Sequence, residues 1–380
     1  MLRTLTVMCI HRYPMKRLQD DYACVGDSGL LPGQELTNPD SLQYLERRYG
    51  ELVDEVVRNC LPAHSRHRFY VVLLKGSPKT SNAQLVRISA KKSVIKISLF
   101  LIRKFHQDSK EFFKFIVQSD MDPVSKSPFL TWMSQQSGDA HYVNNVAELL
   151  FLKSAIACVF GHEAGHVLSG QAPLALDKRL PAQLLHGREI GADGYGVDAG
   201  ISVFQKECAD SLSIPELHRM ASLASKSGRL TAERLARVLS FDLAVAQYAV
   251  VLASFAAISW PDVSESWTCD GRHPADSFRL LAAAVGAMRR AHSPAEGDVD
   301  TKDEGLASVT QSVVEGLLLV LGFCAFREAN PENRNRTREE SVTRLTSLLN
   351  MYDADPTFTT NMRNAYLEYL DASSQPDGPP

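Results

Sequence analysis

The chain has 380 residues, 44% of them hydrophobic and 22% charged, which is the balance of a folded globular protein. A net charge of −3 gives no electrostatic basis for binding nucleic acid or an anionic membrane, so we expect neither as a partner. The seven cysteines are odd in number and form no C-x-x-C pair, which favours reduced thiols and a cytoplasmic location over a disulfide framework.

The first part of the chain predicts a helix followed by a small sheet. An amphipathic pattern covers Ser41 to Cys60. Three runs rich in β-branched residues come next, with Gly76-Ser77-Pro78 as a turn signal. These runs are Phe69–Leu74, Gln84–Ile88 and Val94–Leu99. We therefore predict a small antiparallel sheet within an N-terminal α/β region, residues 1–120.

From Phe100 onward nearly all of the pattern is helical, so the predicted fold class is α+β and mostly helical. The helical region would span residues 121–372, and residues 373–380 would form a disordered tail. Two apolar runs, Leu243–Trp260 and Val313–Phe326, approach the length of a membrane span. Because the first lacks basic anchors and the second carries a glutamate, we favour buried helices, with membrane association as the alternative.

His162, Glu163 and His166 form an H-E-x-x-H motif inside an Ala/Leu-rich run that begins at Val146 and predicts a helix ending near Gly170. Residues four apart lie on one face of a helix, so the two imidazoles converge. Zinc takes two imidazoles and a carboxylate and leaves a position for water, from which Glu163 can take a proton. The motif predicts a hydrolytic zinc site. An accidental match on a buried helix is the alternative, but such polar side chains would be costly to bury unpaired.

A third protein ligand is expected downstream, where Glu189 and Asp193 are four residues apart and share a helix face. Glu189 would bind the metal, while Asp193 would accept the free ring N–H of a ligand histidine and set its tautomer. His186 is the main competitor and would make an all-histidine site, and Asp198 is another available carboxylate. Small residues throughout this segment would permit the second helix to approach the first closely.

H-E-x-x-H followed by E-x-x-A-D, here residues 189–193, resembles the gluzincin metallopeptidases. The closer resemblance is to the branch of the CAAX prenyl proteases and their bacterial heat-shock relatives, and to the phage-exclusion (Lit-type) peptidases. His273-Pro274 followed by Arg279 is similar to the H-P-x(4)-R motif of that branch. The resemblance covers roughly residues 145 to 285 and implies that His273 and Arg279 line the active site and help to stabilise the oxyanion.

The same resemblance implies a zincin-like fold, in which a small antiparallel sheet binds extended substrate backbone beside the helix that carries the motif. We therefore expect a zinc-dependent metalloendopeptidase acting on a protein or peptide substrate. Two alternatives stay open: a metal-dependent hydrolase of a non-peptide amide, and a non-catalytic zinc-binding sensor or interaction protein. Glu163 argues against the sensor, because a purely structural site has no use for a base beside an open position.

Overall fold

A computed structural model gives the fold of the chain and describes the segments that surround the predicted motif. The described residues are 52, 53, 55–57, 59, 60, 69–74, 83–89, 92–118, 146–168, 182–211, 232–258, 276–291, 302–328, 342–347, 349, 350 and 360. Within them the protein is mostly helical, as the sequence predicts. The predicted tail 373–380, most of the helix Ser41–Cys60 and His273 lie outside the described residues.

Three strands form one sheet in the order β1-β3-β2. They are β1 (Phe69–Leu74), β2 (Ala83–Ser89) and β3 (Lys92–Ser98), which lie where the β-branched runs predict them. Only two residues connect β2 to β3, and these strands pair antiparallel, with Leu85 opposite Ile95.

The other pairing differs from the prediction of a wholly antiparallel sheet, because β1 runs parallel to β3. Val71 of β1 lies opposite Ile95, so the central strand β3 has β1 on one side and β2 on the other. The antiparallel prediction was wrong for this pair because β-branched runs and a turn signal indicate that strands form, but not which strands pair. Consecutive strands are often neighbours in a sheet, but here β1 pairs with β3 instead of β2.

Six long helices follow the sheet among the residues that the structure describes. They are α1 (Leu99–Gln118), α2 (Val146–Leu168), α3 (Ala182–Ser211), α4 (Ala232–Ala256), α5 (Asp276–Ala291) and α6 (Lys302–Glu328). Two shorter helical segments lie within residues 52–60 and 342–350.

Helix α2 lies at the centre of this arrangement and contacts α1, α3, α4 and the strands β2 and β3. Every residue from 150 to 162 is buried, so α2 is covered on all sides. Phe112 of α1 contacts Phe151 of α2 and Phe323 of α6, with ring centroids 5.7 and 5.4 Å apart. This aromatic cluster joins three helices behind the motif.

The two apolar runs are buried helices, as predicted. Residues 245–256 of α4 and the next residue, Ala257, are buried. Helix α4 packs against both α2 and α6. Among the described residues one helical stretch, Ser308–Arg327, is long and apolar enough to cross a membrane, and 67% of its most apolar window is buried inside the protein. The core helix of a globular protein meets the same criterion of length and composition.

Helix α2 and helix α3 approach so closely that their glycines form part of the contact. A Cβ atom on Gly196 would lie 2.6 Å from the carbonyl oxygen of Cys158, and one on Gly161 would lie 2.7 Å from that of Tyr195. A Cβ on Gly200 would lie 2.7 Å from the Cys158 sulfur. The backbones therefore touch where larger side chains would separate them, as the small residues predict.

A buried lysine joins the same two helices nearer the start of α2. The ammonium of Lys153, with a side chain 6% exposed, lies 2.7 Å from a carboxylate oxygen of Glu207 on α3. It also donates to Glu55 at 2.8 Å, which ties the segment 52–60 to α2. Two carboxylates compensate the burial of this one cation.

We expect Gly196→Ala to lower the free energy of unfolding by about 1–3 kcal/mol, because the new methyl group has to separate α2 from α3. Urea denaturation measures this, with Ser202→Ala, at an exposed position of the same helix, as the matched control. In a helix with free space the substitution would instead stabilise by about 1 kcal/mol. A gain in stability would therefore contradict the close approach of the helices.

Candidate metal centre

Two neighbouring helices bring three possible metal ligands to one place. His162 and His166 lie one turn apart on α2, with their Nε2 atoms 3.2 Å apart. On α3, one carboxylate oxygen of Glu189 (Oε2) lies 3.4 Å from Nε2 of His162, and the other (Oε1) lies 3.6 Å from Nε2 of His166. One ligand atom from each residue lies within 4.8 Å of the others, so the three residues could hold a metal ion.

The chemistry of these residues fits a divalent transition metal. Two imidazoles and one carboxylate are a ligand set that zinc takes in hydrolytic sites and that leaves a fourth position open. His162 and His166 are only 9% and 8% exposed, and both direct a nitrogen toward the same carboxylate. A cation between these atoms would satisfy all of the converging lone pairs at once, which a single shared proton cannot do.

Asp193 contacts His162 on the side of the ring away from Glu189. Its Oδ1 accepts a hydrogen bond from Nδ1 of His162 at 2.8 Å, and the aspartate is only 1% exposed. An ionised carboxylate can only accept, so Nδ1 carries a proton, and Nε2 is the nitrogen that can bind a metal once its own proton is displaced. This is the contact that the four-residue spacing of Glu189 and Asp193 predicts.

Arg279 of α5 binds the same aspartate. Its Nε donates to Oδ2 of Asp193 at 2.8 Å, and its Nη2 donates to Oδ1 at 2.6 Å. The guanidinium also lies 5.8 Å from the ring centroid of Phe255, and its Nη1 is 3.7 Å from Asp276. Two of its nitrogens are therefore committed to a carboxylate, an arrangement that the predicted oxyanion role did not anticipate.

Glu163 lies between the metal ligands in sequence and faces the sheet. The backbone of Leu85 in β2 lies close enough to its carboxylate to stabilise the charged form. Burial raises the pKa of Glu163, and the charge of His162 and the Leu85 backbone only partly oppose this. A carboxylate with a raised pKa is a stronger base, which suits the predicted role of Glu163.

The remaining candidates fall into two groups. His186 is buried on α3 and Asp198 is half-buried on the same helix, but neither belongs to the group of converging ligands that the described residues contain. His273 lies outside the described residues, so its predicted role stays a prediction.

The pKa values of the two histidines are shifted in opposite directions by this environment. Burial by itself lowers the pKa of His162, but hydrogen bonds and charges of Asp193 and Glu189 outweigh it and raise the pKa to about 10. Burial and the neighbouring His162 lower the pKa of His166 to about 4. The metal-free site at neutral pH therefore holds a proton on His162 that a metal has to displace.

Asp193 stays ionised although it is buried. Burial would raise its pKa, but the charge and hydrogen bonds of Arg279, together with those of His162, lower it. The sequence contains no sign of this dependence, since Arg279 lies 86 residues from Asp193. The contact between Leu85 and Glu163 was missed for the same reason.

No protein-family model matches this chain, and no curated protein or solved structure matches it significantly. The function of the site has to be argued from the geometry of its own residues. The resemblance to gluzincins stays a prediction.

We expect the purified protein to bind about one divalent transition metal ion per chain, and Glu189→Ala to lose most of it because the site then has two ligands. Elemental analysis after dialysis measures the metal content. Asp198→Ala, on the same helix but outside the ligand group, is the matched control and should keep the metal. If Asp198→Ala loses the metal while Glu189→Ala keeps it, Asp198 and not Glu189 is the ligand.

The affinity for zinc should rise with pH at about tenfold per pH unit between about pH 5.5 and pH 7, because each bound ion displaces one proton from His162. The sign follows from the pKa values: His162 is protonated below about 10, whereas His166, near 4, has already lost its proton. Competition with a chromophoric chelator at several pH values gives the slope. An affinity independent of pH would contradict this protonation state.

Proposed function

We propose that the protein is a zinc-dependent metalloendopeptidase of the gluzincin type, with His162, His166 and Glu189 as ligands and Glu163 as general base. The observation that carries the proposal is the convergence of these three ligands on one point, with a half-buried glutamate on the same helical turn. A metal held only for stability would need no such glutamate.

Zinc, when bound, would polarise the scissile carbonyl and make the attacking water more acidic. Glu163 takes the proton from that water and then passes it to the leaving amine. The burial that raises its pKa also helps it to hold the proton between these two steps. Asp193 keeps the ring of His162 in the required tautomer throughout.

The edge of the sheet supports a peptide as the substrate. In the described sheet β2 pairs with β3 on one side only, and the backbone of Leu85 lies close enough to Glu163 to lower the pKa of that carboxylate. Because the backbone groups of a strand alternate in direction, those of Ala83 and Arg87 face the same way as those of Leu85. An extended peptide could add to this edge and place its backbone beside the base.

The same features favour a zincin-like fold, since a short sheet lies against the helix that carries the motif and the next helix supplies the third ligand. We propose that the protein and its substrate are cytoplasmic. Among the described residues four cysteines, Cys60, Cys158, Cys208 and Cys324, form no disulfide, which supports the proposal of a reducing compartment.

Glu163→Gln should keep the metal and lose about 10²–10⁴-fold in the rate of cleavage, because the amide cannot accept the proton of water. Wild type and variant are loaded with zinc and incubated with a denatured proteome, and new peptide N-termini are counted by mass spectrometry. Glu111→Gln, a carboxylate of α1 outside the site, is the control and should behave as wild type.

Two results would contradict the proposal. Equal cleavage by wild type and Glu163→Gln would exclude Glu163 as the base. Zinc-loaded wild type that produces no new N-termini would exclude the endopeptidase and favour a sensor or a hydrolase of non-peptide amides.

A further inference from the structure

Arg279 and Asp193 form a two-pronged ion pair that is almost completely buried. The side chains are 11% and 1% exposed, and two nitrogens of the guanidinium each donate to the carboxylate, at 2.8 and 2.6 Å. A planar guanidinium that donates twice to one carboxylate sets the orientation of that carboxylate as well as its charge. Asp193 therefore has a single orientation in the site.

One oxygen links this ion pair to the metal ligand. Oδ1 of Asp193 accepts from Nη2 of Arg279 at 2.6 Å and from Nδ1 of His162 at 2.8 Å. Any rotation of the carboxylate would break both contacts together. The position of Arg279 is thereby transmitted to the ring of His162, whose other nitrogen faces Glu189.

The same contacts direct two nitrogens of Arg279, Nε and Nη2, toward Asp193. A donor that stabilises an oxyanion has to lie about 3 Å from that oxygen. These two nitrogens instead bind Asp193, which contacts the His162 ring at Nδ1, while Nε2 of the same ring faces Glu189. Phe255 and Asp276 occupy further parts of its surroundings.

We propose that Arg279 is a positioning residue of the metal centre, acting through Asp193 to hold His162 in the orientation that binds the ion. This inference rests on the metal site of the proposed function and assigns Arg279 a role different from the oxyanion donor that the family resemblance implies. Lysine cannot replace it fully, because an ammonium supplies a point charge without the two-pronged geometry.

The test measures the dissociation constant for zinc by chelator competition, together with the visible spectrum of the cobalt-substituted protein. Arg279→Met should raise the dissociation constant about 10–100-fold and alter the cobalt bands, as loss of a group that orients a metal ligand does. Arg279→Lys should raise it by about tenfold and, since it keeps the charge, also covers the case in which Arg279→Met does not fold.

Arg327→Lys is the matched control. Arg327 also binds a buried aspartate, Asp108, at 2.9 Å and also lies over a phenylalanine ring, Phe323, at 5.7 Å, but it joins α6 to α1. It has the same type of contact without a link to the metal ligands. Its substitution should leave both the zinc affinity and the cobalt spectrum unchanged.

A double-mutant cycle tests whether Arg279 acts through Asp193. The dissociation constant of Asp193→Ala combined with Arg279→Met should equal that of Asp193→Ala alone, because the path to His162 is already lost. Independent, additive effects would overturn the proposal. So would Arg279 variants with wild-type zinc affinity and a kcat lowered about 10²–10³-fold, which is the result expected of an oxyanion donor.

These readouts need no substrate, so they separate the two proposals. If zinc-loaded wild type cleaves nothing while the cycle is non-additive, the peptidase is excluded and the positioning role stands. If the peptidase is active while the Arg279 variants bind zinc as tightly as wild type, only the positioning role is excluded.

Discussion

The contact between the backbones of α2 and α3 is the constraint on which the rest of the site depends. His162 and His166 belong to α2, while Glu189 and Asp193 belong to α3, so the centre exists only if these helices lie side by side. Glycines at the contact, such as Gly161 and Gly196, allow a separation that no side chain would permit. The cost in helix propensity is offset because both helices are buried by their neighbours.

Charge compensation is the second requirement of a site so far from solvent. The chain of contacts from Arg279 to Asp193 to His162 alternates in sign, so each buried ionic group has a partner of opposite charge. Glu189 carries a negative charge toward the nitrogens of both histidines, where a divalent cation would be the complement. The polar groups are therefore arranged for a cation, within a core that is mostly apolar.

The sheet contributes through its topology. Because β3 occupies the centre, β2 is left at the edge beside α2, and the backbone of Leu85 reaches Glu163. In an antiparallel sheet whose consecutive strands are neighbours, β2 would lie between β1 and β3, and its outer backbone groups would be used within the sheet. The central position of β3 thus leaves an edge of β2 for the peptide that we propose as substrate.

The sequence by itself determined those features that depend on local spacing. The convergence of His162 and His166 follows from their separation of four residues on one helix, and the strands follow from runs of β-branched residues, because both patterns act over a few neighbouring positions. The buried character of α4 and α6 was equally readable, since long apolar runs without anchors predict core helices.

Tertiary structure alone decided the rest. It brought Glu189, and not His186, to the two histidines, placed β1 beside β3, and joined Arg279 to Asp193 across 86 residues. Each of these contacts unites groups that are far apart along the chain, so each depends on how whole helices and strands pack. The local sequence pattern determines which residues share one face of a helix or strand. The packing of the core determines which other element that face contacts.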